Sequence, residues 1–393
     1  RSFEENPYWK VLLLAFGHIP EPYTTLKNVY SLTKGHYLEY DLNKGSIYEH
    51  QFKRLGFKPS TIHDKYKATE AIKEKLEAAV ARHLISDAPI GLFLSGGIDS
   101  SLLTLLAAKS AKEQLHTLSV TFNEEKYSEQ IYQQAVIDKV KCKHHFYNVG
   151  VNELEENFNN LLAAYDQPSS DAINSWFISK CAHDNGLKAV LSGLGSDEVF
   201  GGYPSFQRAR SLLSIQKLPN FLLKMAKHSP DNRLKRLQWL NINGTTGMYL
   251  AIRGFFTPDE ISKITGLSST EIIRIIADLR FQPSQDLIEN DEYACWLEFN
   301  RYMQNQLLKD SDYMSMKHSL ELRVPFLDQE FLDTTFSIDT SILYDHGGLP
   351  KQLLIDSFKP LLPEIIWNRK KMGFSFPFQE WLGEIDTVRE SLN

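Results

Sequence analysis

The chain has 393 residues, of which 42% are hydrophobic and 23% charged, with a formal net charge of −6. That length allows two or three domains and a large buried core, in an ordinary soluble, globular composition. The acidic balance argues against wholesale nucleic-acid binding, no apolar run reaches the ~18 residues of a membrane span, and three widely spaced cysteines without a CxxC (Cys142, Cys181, Cys295) fit a reducing, cytoplasmic compartment.

The opening Arg1-Ser2-Phe3-Glu4-Glu5 has no signal-peptide pattern, and the missing Met reads as a fragment or a processed product. Trp9 to Phe16 is apolar and fits a helix or a strand. Ile19-Pro20-Glu21-Pro22 breaks it. Tyr37 to Tyr40 and Ser46 to Glu49, with turn signals at Lys34-Gly35 and Asn43-Lys44-Gly45, predict a hairpin. After a polar linker from residue 59, Ile72, Leu76, Ala79, Val80 and Leu84 recur at helical spacing. Ser86-Asp87-Ala88-Pro89 stops that helix.

Ile90 to Leu94 reads as a buried strand, and Leu102, Leu103, Leu105, Leu106 and Ala107 open a helix. Between them lies Ser95-Gly96-Gly97-Ile98-Asp99-Ser100-Ser101. A loop from a strand end to a helix start holds phosphate well, because free N–H groups and the helix dipole favour negative charge. Leu94 leads into the loop, Gly96 and Gly97 let the backbone approach an anion, and Ser95, Ser100 and Ser101 add hydroxyl donors. A carboxylate beside a polyphosphate repels it, so Asp99 implies a Mg²⁺ that neutralises the phosphates. No Gly-Lys-Ser/Thr occurs, so this is not the Walker pattern.

Strand and helix signals then alternate: strands over 115–122, 144–149 and 187–191, helices over 127–140, 153–165 and 172–185. This predicts an α/β fold with a doubly wound parallel sheet covered on both faces, and ligands beyond the carboxyl ends of its strands. A second loop follows the last of these strands, Ser192-Gly193-Leu194-Gly195-Ser196-Asp197-Glu198. Gly193-x-Gly195 lacks the third glycine of a dinucleotide fingerprint. Asp197 is positioned to be a second Mg²⁺ carboxylate facing Asp99.

Other signals keep two readings. Glu129 is an acidic site residue or a helix-start carboxylate. Asp171 contacts a substrate amine or caps the helix that follows. Cys142-Lys143-His144-His145 is not read as a metal site, since a strand sends the two histidines to opposite faces. Residues 204–300 are mostly helical with no catalytic constellation, and the basic run Lys224 to Arg236 is read as a solvated helix face. Asp312, Glu321 and Arg323 are charges in an apolar setting, hence paired or functional. Arg369-Lys370-Lys371 before Gly373 is a surface turn or a functional cluster.

Ser95-Gly96-Gly97-Ile98-Asp99-Ser100 resembles the pyrophosphate-binding loop of the ATP pyrophosphatases. The segment from Ser192 to Tyr203 resembles the "S-G-x-G-x-D-E-x-F-x-G-Y" loop of asparagine synthetases. Asp312 to Asp328 resembles their "D-x-x-S-M-x-x-x-x-E-x-R-x-P-F-L-D", and Arg369 to Pro377 their "R-x-K-x-G-F-x-x-P". Gly17 to Ile47 looks like the last part of the glutaminase domain that precedes the synthetase domain in that family. The resemblance implies a fold of the adenine-nucleotide α-hydrolase/ATP pyrophosphatase type with an added helical layer and a small N-terminal β remnant. It implies residues 1–58 as the end of an N-terminal-nucleophile glutaminase domain and 59–393 as a synthetase domain, with 204–300 as a helical insert.

The resemblance also implies roles. ATP and pyrophosphate fall to Leu94, Ser95, Gly96, Gly97, Asp99, Ser100, Ser119, Val120, Ser192 and Gly193, with Asp99 and Asp197 as Mg²⁺ ligands. Glu129, Asp171, Asp312 and Lys351 (of a "K-x-x-L") lie on the substrate side. Lys371 is implied as the cation that stabilises charge on the α phosphate, and Glu321 as the general base, or else half of a structural Glu–Arg pair. Many relatives carry Glu or Asp, and β-lactam synthetases Tyr, where this chain has Leu194, which neither takes a proton nor donates a hydrogen bond. The glutaminase nucleophile of the family is an N-terminal cysteine, whereas residue 1 here is Arg.

The implied function is an ATP-dependent amide-forming ligase. A carboxylate, by default L-aspartate, is adenylated with loss of pyrophosphate, and ammonia, from glutamine in a complete chain, displaces AMP. The partners are small molecules, with no nucleic acid or membrane, and a homodimer is possible. The alternatives are amide formation on another acceptor, by intramolecular cyclisation or sugar-acid amidation, and an inactive nucleotide-binding scaffold.

Overall fold

A computed structural model describes residues 3–53, 56, 59–111, 114–215, 229–279, 290–345, 347–373 and 376–381. Lys224 and its neighbours in the basic run, and Phe374 and Ser375 of the C-terminal motif, lie outside them. The chain forms two compact units. One holds residues 1–59, 167–170 and 203–306, and the other holds 60–166, 171–202 and 307–393. The helical stretch after residue 203 thus groups with the N-terminal segment, although about 140 residues of chain separate them.

The first unit begins with α1 (Trp9–Phe16), whose apolar run becomes a helix closed by Gly17 in the left-handed region at φ 80°. The hairpin forms as expected, β1 (His36–Asp41) against β2 (Ser46–Gln51), antiparallel in register from His36↔Gln51 to Asp41↔Ser46. Tyr37, Leu38, Tyr40, Ile47 and Tyr48 are all exposed, so neither face of this ribbon is buried. The helical stretch packs on α1 through backbone as well as side chains. The N–H groups of Phe255 and Phe256 donate to the carbonyls of Ala15 and Leu14 at 2.8 and 3.0 Å. Within this unit the buried Arg253 pairs with Glu298 at 2.8 Å, and its guanidinium lies 3.7 Å from the ring centroid of Tyr302 and 4.5 Å from that of Tyr203. A buried pair of this kind is kept by its geometry and its satisfied donors.

The second unit is an α/β fold around five parallel strands, β3 (Ile90–Phe93), β4 (Leu115–Thr121), β5 (Cys142–Asn148), β6 (Ala189–Leu191) and β7 (Glu321–Arg323). Their order is β5-β4-β3-β6-β7. Helices α2 (Lys65–His83), α3 (Ile98–Ser110), α4 (Gln130–Ile137), α5 (Val151–Leu162), α6 (Ile173–Asp184) and the short α7 (Ser196–Phe200) complete the crossovers. β3 and β6 are apolar throughout, and β4 is buried along nearly all its length although it carries Thr117, Ser119 and Thr121, as expected of strands covered on both faces. Strand order reverses between β3 and β6, which makes that gap the topological switch point, where a crevice opens beyond the carboxyl ends. The two glycine-rich loops leave the sheet at this gap. β7 was not anticipated, because three residues carrying two charges give no strand alternation.

His144, on β5, has its Nδ1 2.7 Å from Thr117 Oγ1 and its ring against Phe146. Burial, with a smaller push from His145, lowers its pKa from 6.5 to about 4. Between those values the unfolded chain binds the proton and the folded chain does not, so stability falls as pH drops through that window. Chemical denaturation at pH 7 and pH 5 should show a lower midpoint at pH 5, and His144→Phe should shrink the difference. An unchanged difference would assign the effect to other histidines.

Candidate functional site

The first loop is shaped by its own hydrogen bonds. The Ser95 and Ser100 hydroxyls lie 3.0 Å apart, the Ser95 N–H donates to Ser100 Oγ at 3.2 Å, and the Gly97 N–H donates to Ser95 Oγ at 3.3 Å. Gly96 turns the chain at φ 82°, and a Cβ there would lie 2.9 Å from Tyr132 Cβ. A side chain at 96 is therefore excluded twice, by backbone conformation and by space. Gly97 caps α3 without a side chain, so no side chain takes up the N–H groups of the first turn. The N–H groups at the start of α3 are thus left as donors of the kind that suit an anion. Leu94 and Val120 are buried in the core and have only backbone to offer, while the Ser119 hydroxyl donates to the Leu94 carbonyl.

The second loop closes on the first. A Cβ at Gly193 would lie 2.9 Å from Asp99 Cβ and 3.1 Å from Ser100 N. The Ser192 N–H donates to the Arg323 carbonyl at 2.8 Å, which carries the β6–β7 ladder up to the loop. α3 and α7 start from these loops and bring Asp99 and Asp197 to a common focus. At that focus lies Lys351 Nζ, 2.7 and 2.6 Å from the two Asp99 oxygens and 2.7 Å from Asp197 Oδ1. Lys371 Nζ adds a contact of 2.6 Å to the same Asp197 oxygen, and donates to the Gly202 carbonyl at 3.2 Å. Lys351 has a side chain only 4% exposed, whereas that of Lys371 is 43% exposed.

The electrostatics follow from this geometry. Burial alone would raise the Asp197 carboxyl, but Lys351 and Lys371 outweigh it and hold the group below the usual carboxylate range. Burial alone would lower the Lys351 ammonium, but Asp197 and Asp99 outweigh it and hold the group above the usual lysine value. Stability from the depressed carboxyl is lost only as pH falls below 3.8, and stability from the raised ammonium only as pH rises above 10.5. Asp197 and Lys351 therefore stay charged throughout the physiological range.

A third cation, Arg369, ties the first loop down. It donates to the Gly96 carbonyl at 3.0 Å and to Glu129 Oε1 at 2.8 Å, and its guanidinium lies 3.6 Å from the Tyr132 ring centroid. Glu129 stands at the start of α4 but caps no N–H there. Burial raises its carboxyl and Arg369 opposes that shift. The resemblance singles out Lys371 of the basic triplet and gives Arg369 no role. Only proximity in space shows that Arg369 meets Glu129.

The remaining expected residues fall elsewhere. Glu321 opens β7 and is in register with Ala189, the first residue of β6, so it lies at the end of the strand opposite the loops. Its side chain is 62% exposed and pairs with Arg323 Nε at 2.9 Å, while Arg323 donates to the carbonyls of His83 and Ile85 at 2.7 Å each. Arg323 keeps the Glu321 carboxyl below its ordinary range. The general-base expectation for Glu321 is therefore replaced by a structural ion pair. Asp312 is exposed on the helix Lys309–Lys317, not embedded in apolar surroundings. The buried carboxylate of that helix is Asp310. Asp171 accepts from the Ala172 N–H at 2.9 Å, one residue ahead of α6, so it does not cap that helix. Burial raises its carboxyl, and Tyr165 donates to its main-chain carbonyl.

Two carboxylates converging on one cation suit a divalent ion. Among the described residues there is no cluster of three or more potential metal ligands. A Mg²⁺ held here would complete its shell with phosphate oxygens and water, the usual arrangement for a nucleotide-borne ion.

The family model described as asparagine synthase matches residues 71–393. The chain belongs to the asparagine synthase family. Asparagine synthetase [glutamine-hydrolyzing] 1 of Bacillus subtilis is 28% identical over 377 residues, covering 94% of this chain and 59% of the relative. Putative asparagine synthetase [glutamine-hydrolyzing] 2 of Methanocaldococcus jannaschii is 35% identical over 248 residues, covering 62% of this chain and 46% of the relative. The chain thus spans roughly half to three-fifths of the length of these curated relatives. A solved structure of the U34-tRNA thiolase NcsA from Methanococcus maripaludis aligns at 12% identity with a TM-score of 0.28, over 60% of this chain and 93% of that one, a likeness too slight to bear on function.

A Cβ at Gly202 would overlap the Asp197 carboxylate and Lys351 Cε. Gly202→Ala should cost about 1–3 kcal/mol through overpacking, read as a Tm several degrees lower, and should weaken binding of an ATP analogue at least tenfold. A Tm and affinity like those of the parent chain would show that the cluster yields easily.

Proposed function

We propose that this chain is an ATP-dependent, amide-forming ligase of the asparagine synthetase type. The observation that carries the reading is the meeting of Asp99, Asp197, Lys351 and Lys371 beside the open start of α3, at the switch point of a parallel sheet. Family membership supports the same reading.

The α3 start and the Ser95–Ser100 loop would hold the β and γ phosphates of ATP by N–H and hydroxyl donation. Asp99 and Asp197 would hold Mg²⁺, which supplies charge neutralisation to the polyphosphate when bound. The substrate carboxylate, taken as L-aspartate, attacks the α phosphorus, pyrophosphate leaves, and an acyl adenylate forms. Lys371, the more exposed of the two lysines, would follow the charge that develops on the α phosphate. Ammonia then attacks the acyl carbon and AMP leaves. The proton that nitrogen loses goes to the departing AMP phosphate or to water, because Leu194 has no group to take it and Glu321 lies at the far end of β7. Ammonia is the nitrogen donor in this reading. Residues 1–58 are read as the end of a glutaminase domain. Leu194 favours a second reading, in which the same adenylation serves another carboxylate or amine. No described helix is long and apolar enough to cross a membrane.

The test is pyrophosphate release from ATP with L-aspartate, with and without ammonium, followed by product identification. Asparagine with equimolar AMP is expected. Asp197→Asn and Lys371→Ala should each lower the rate about 10²–10³-fold, the size typical of a lost charge-stabilising group. Pyrophosphate release without asparagine would support the second reading. No aspartate-dependent pyrophosphate from a chain that binds ATP would overturn the aspartate assignment.

A further inference from the structure

Lys351, which the resemblance puts on the substrate side, stands between the two carboxylates Asp99 and Asp197. Its three ammonium protons are all taken, two by the Asp99 oxygens and one by Asp197 Oδ1. Its side chain is 4% exposed, so water does not share it. Its backbone is in the left-handed region, at φ 63° and ψ 31°, at the start of the helix Gln352–Phe358. A residue with a Cβ adopts that conformation only where its surroundings impose it, and such outliers gather at functional sites. Here the conformation places the ammonium between two carboxylates that belong to different helices, α3 and α7.

Two carboxylates aimed at one point repel when nothing stands between them. We propose that Lys351 is a built-in counter-cation: it holds Asp99 and Asp197 together without a divalent ion, and a divalent ion enters the site only by displacing its ammonium. The proposal rests on the reading of Asp99 and Asp197 as the Mg²⁺ carboxylates. It makes Lys351 a positioning residue that acts through them. A bare divalent ion must compete with a tethered ammonium at very high local concentration. A metal–nucleotide complex brings phosphate oxygens that give the displaced ammonium a new partner. Metal loading is thereby tied to nucleotide, and the empty site keeps its shape.

The test uses Mn²⁺ as a paramagnetic probe, read by electron paramagnetic resonance, together with thermal unfolding. The parent chain should bind Mn²⁺ weakly without nucleotide and well with a non-hydrolysable ATP analogue. Lys351→Met should bind Mn²⁺ without nucleotide at least tenfold more tightly than the parent. It should unfold several degrees lower than the parent in EDTA and recover most of that loss in Mg²⁺. Lys351→Arg, which keeps a cation, should stay near the parent in nucleotide-free Mn²⁺ affinity. A merely structural lysine would lower Tm without raising metal affinity, and that result overturns the proposal. Lys351→Gln is the second neutral variant, and failure of both neutral variants to fold even in Mg²⁺ also counts against it, because the divalent ion should replace the lost charge. If the parent binds no Mn²⁺ even with the ATP analogue, the reading of Asp99 and Asp197 fails. If nucleotide-dependent binding is present but Lys351→Met gains nothing without nucleotide, only the counter-cation inference fails.

Discussion

Two carboxylates on separate helices share one ammonium at the end of a parallel sheet, and the site is assembled around that sharing. Asp99 reaches it from the helix after β3, and Asp197 from the helix after β6. Because β3 and β6 are neighbours at the switch point, the two loops are brought together by the sheet itself. The loops then need glycine for contact. Gly193 lets the second loop lie against Asp99 and Ser100, and Gly202 clears space for the Asp197 carboxylate and the Lys351 side chain. Strand order, glycine placement and charge balance thus serve one arrangement.

The cations divide the work by burial. Lys351 is enclosed and fully engaged, Lys371 is half-exposed and bonded to Asp197 and the Gly202 carbonyl, and Arg369 anchors the Ser95–Ser100 loop through Gly96 and Glu129. Arginine suits the anchoring role, since its planar head meets a carbonyl and a carboxylate while resting on the Tyr132 ring. Glu129, at the start of α4, is the carboxylate that holds this anchor.

Much of this was legible in the sequence where chemistry is contiguous. The Ser95–Ser100 loop and the Ser192–Asp197 loop are each a few residues long, follow buried apolar strands, and carry their signal in order. The alternation of strands and helices from residue 90 to 191 likewise named the parallel sheet. What escaped is what only the fold brings together. Lys351 meets Asp99 across 252 positions, and Arg369 meets Glu129 across 240, separations over which no periodicity speaks. Glu321 misled for a different reason. Charges within an apolar run looked buried, but a three-residue edge strand shows its ends to solvent, and Arg323 had already claimed the carboxylate. The grouping of residues 1–59 with 203–306 was equally hidden, since it depends on backbone bonds from Phe255 and Phe256 to α1.

The β1–β2 ribbon stands apart from this economy. Two strands with neither face covered have little beyond their own ladder to hold them, and an isolated ribbon of that kind is marginal in water. The protein therefore has a steep internal gradient of opening free energy. In a hydrogen-exchange time course the amides of Tyr37 to Tyr48 would be replaced by deuterium early, while those of Leu92, Leu118 and Val190 at the centre of the sheet would wait for global opening.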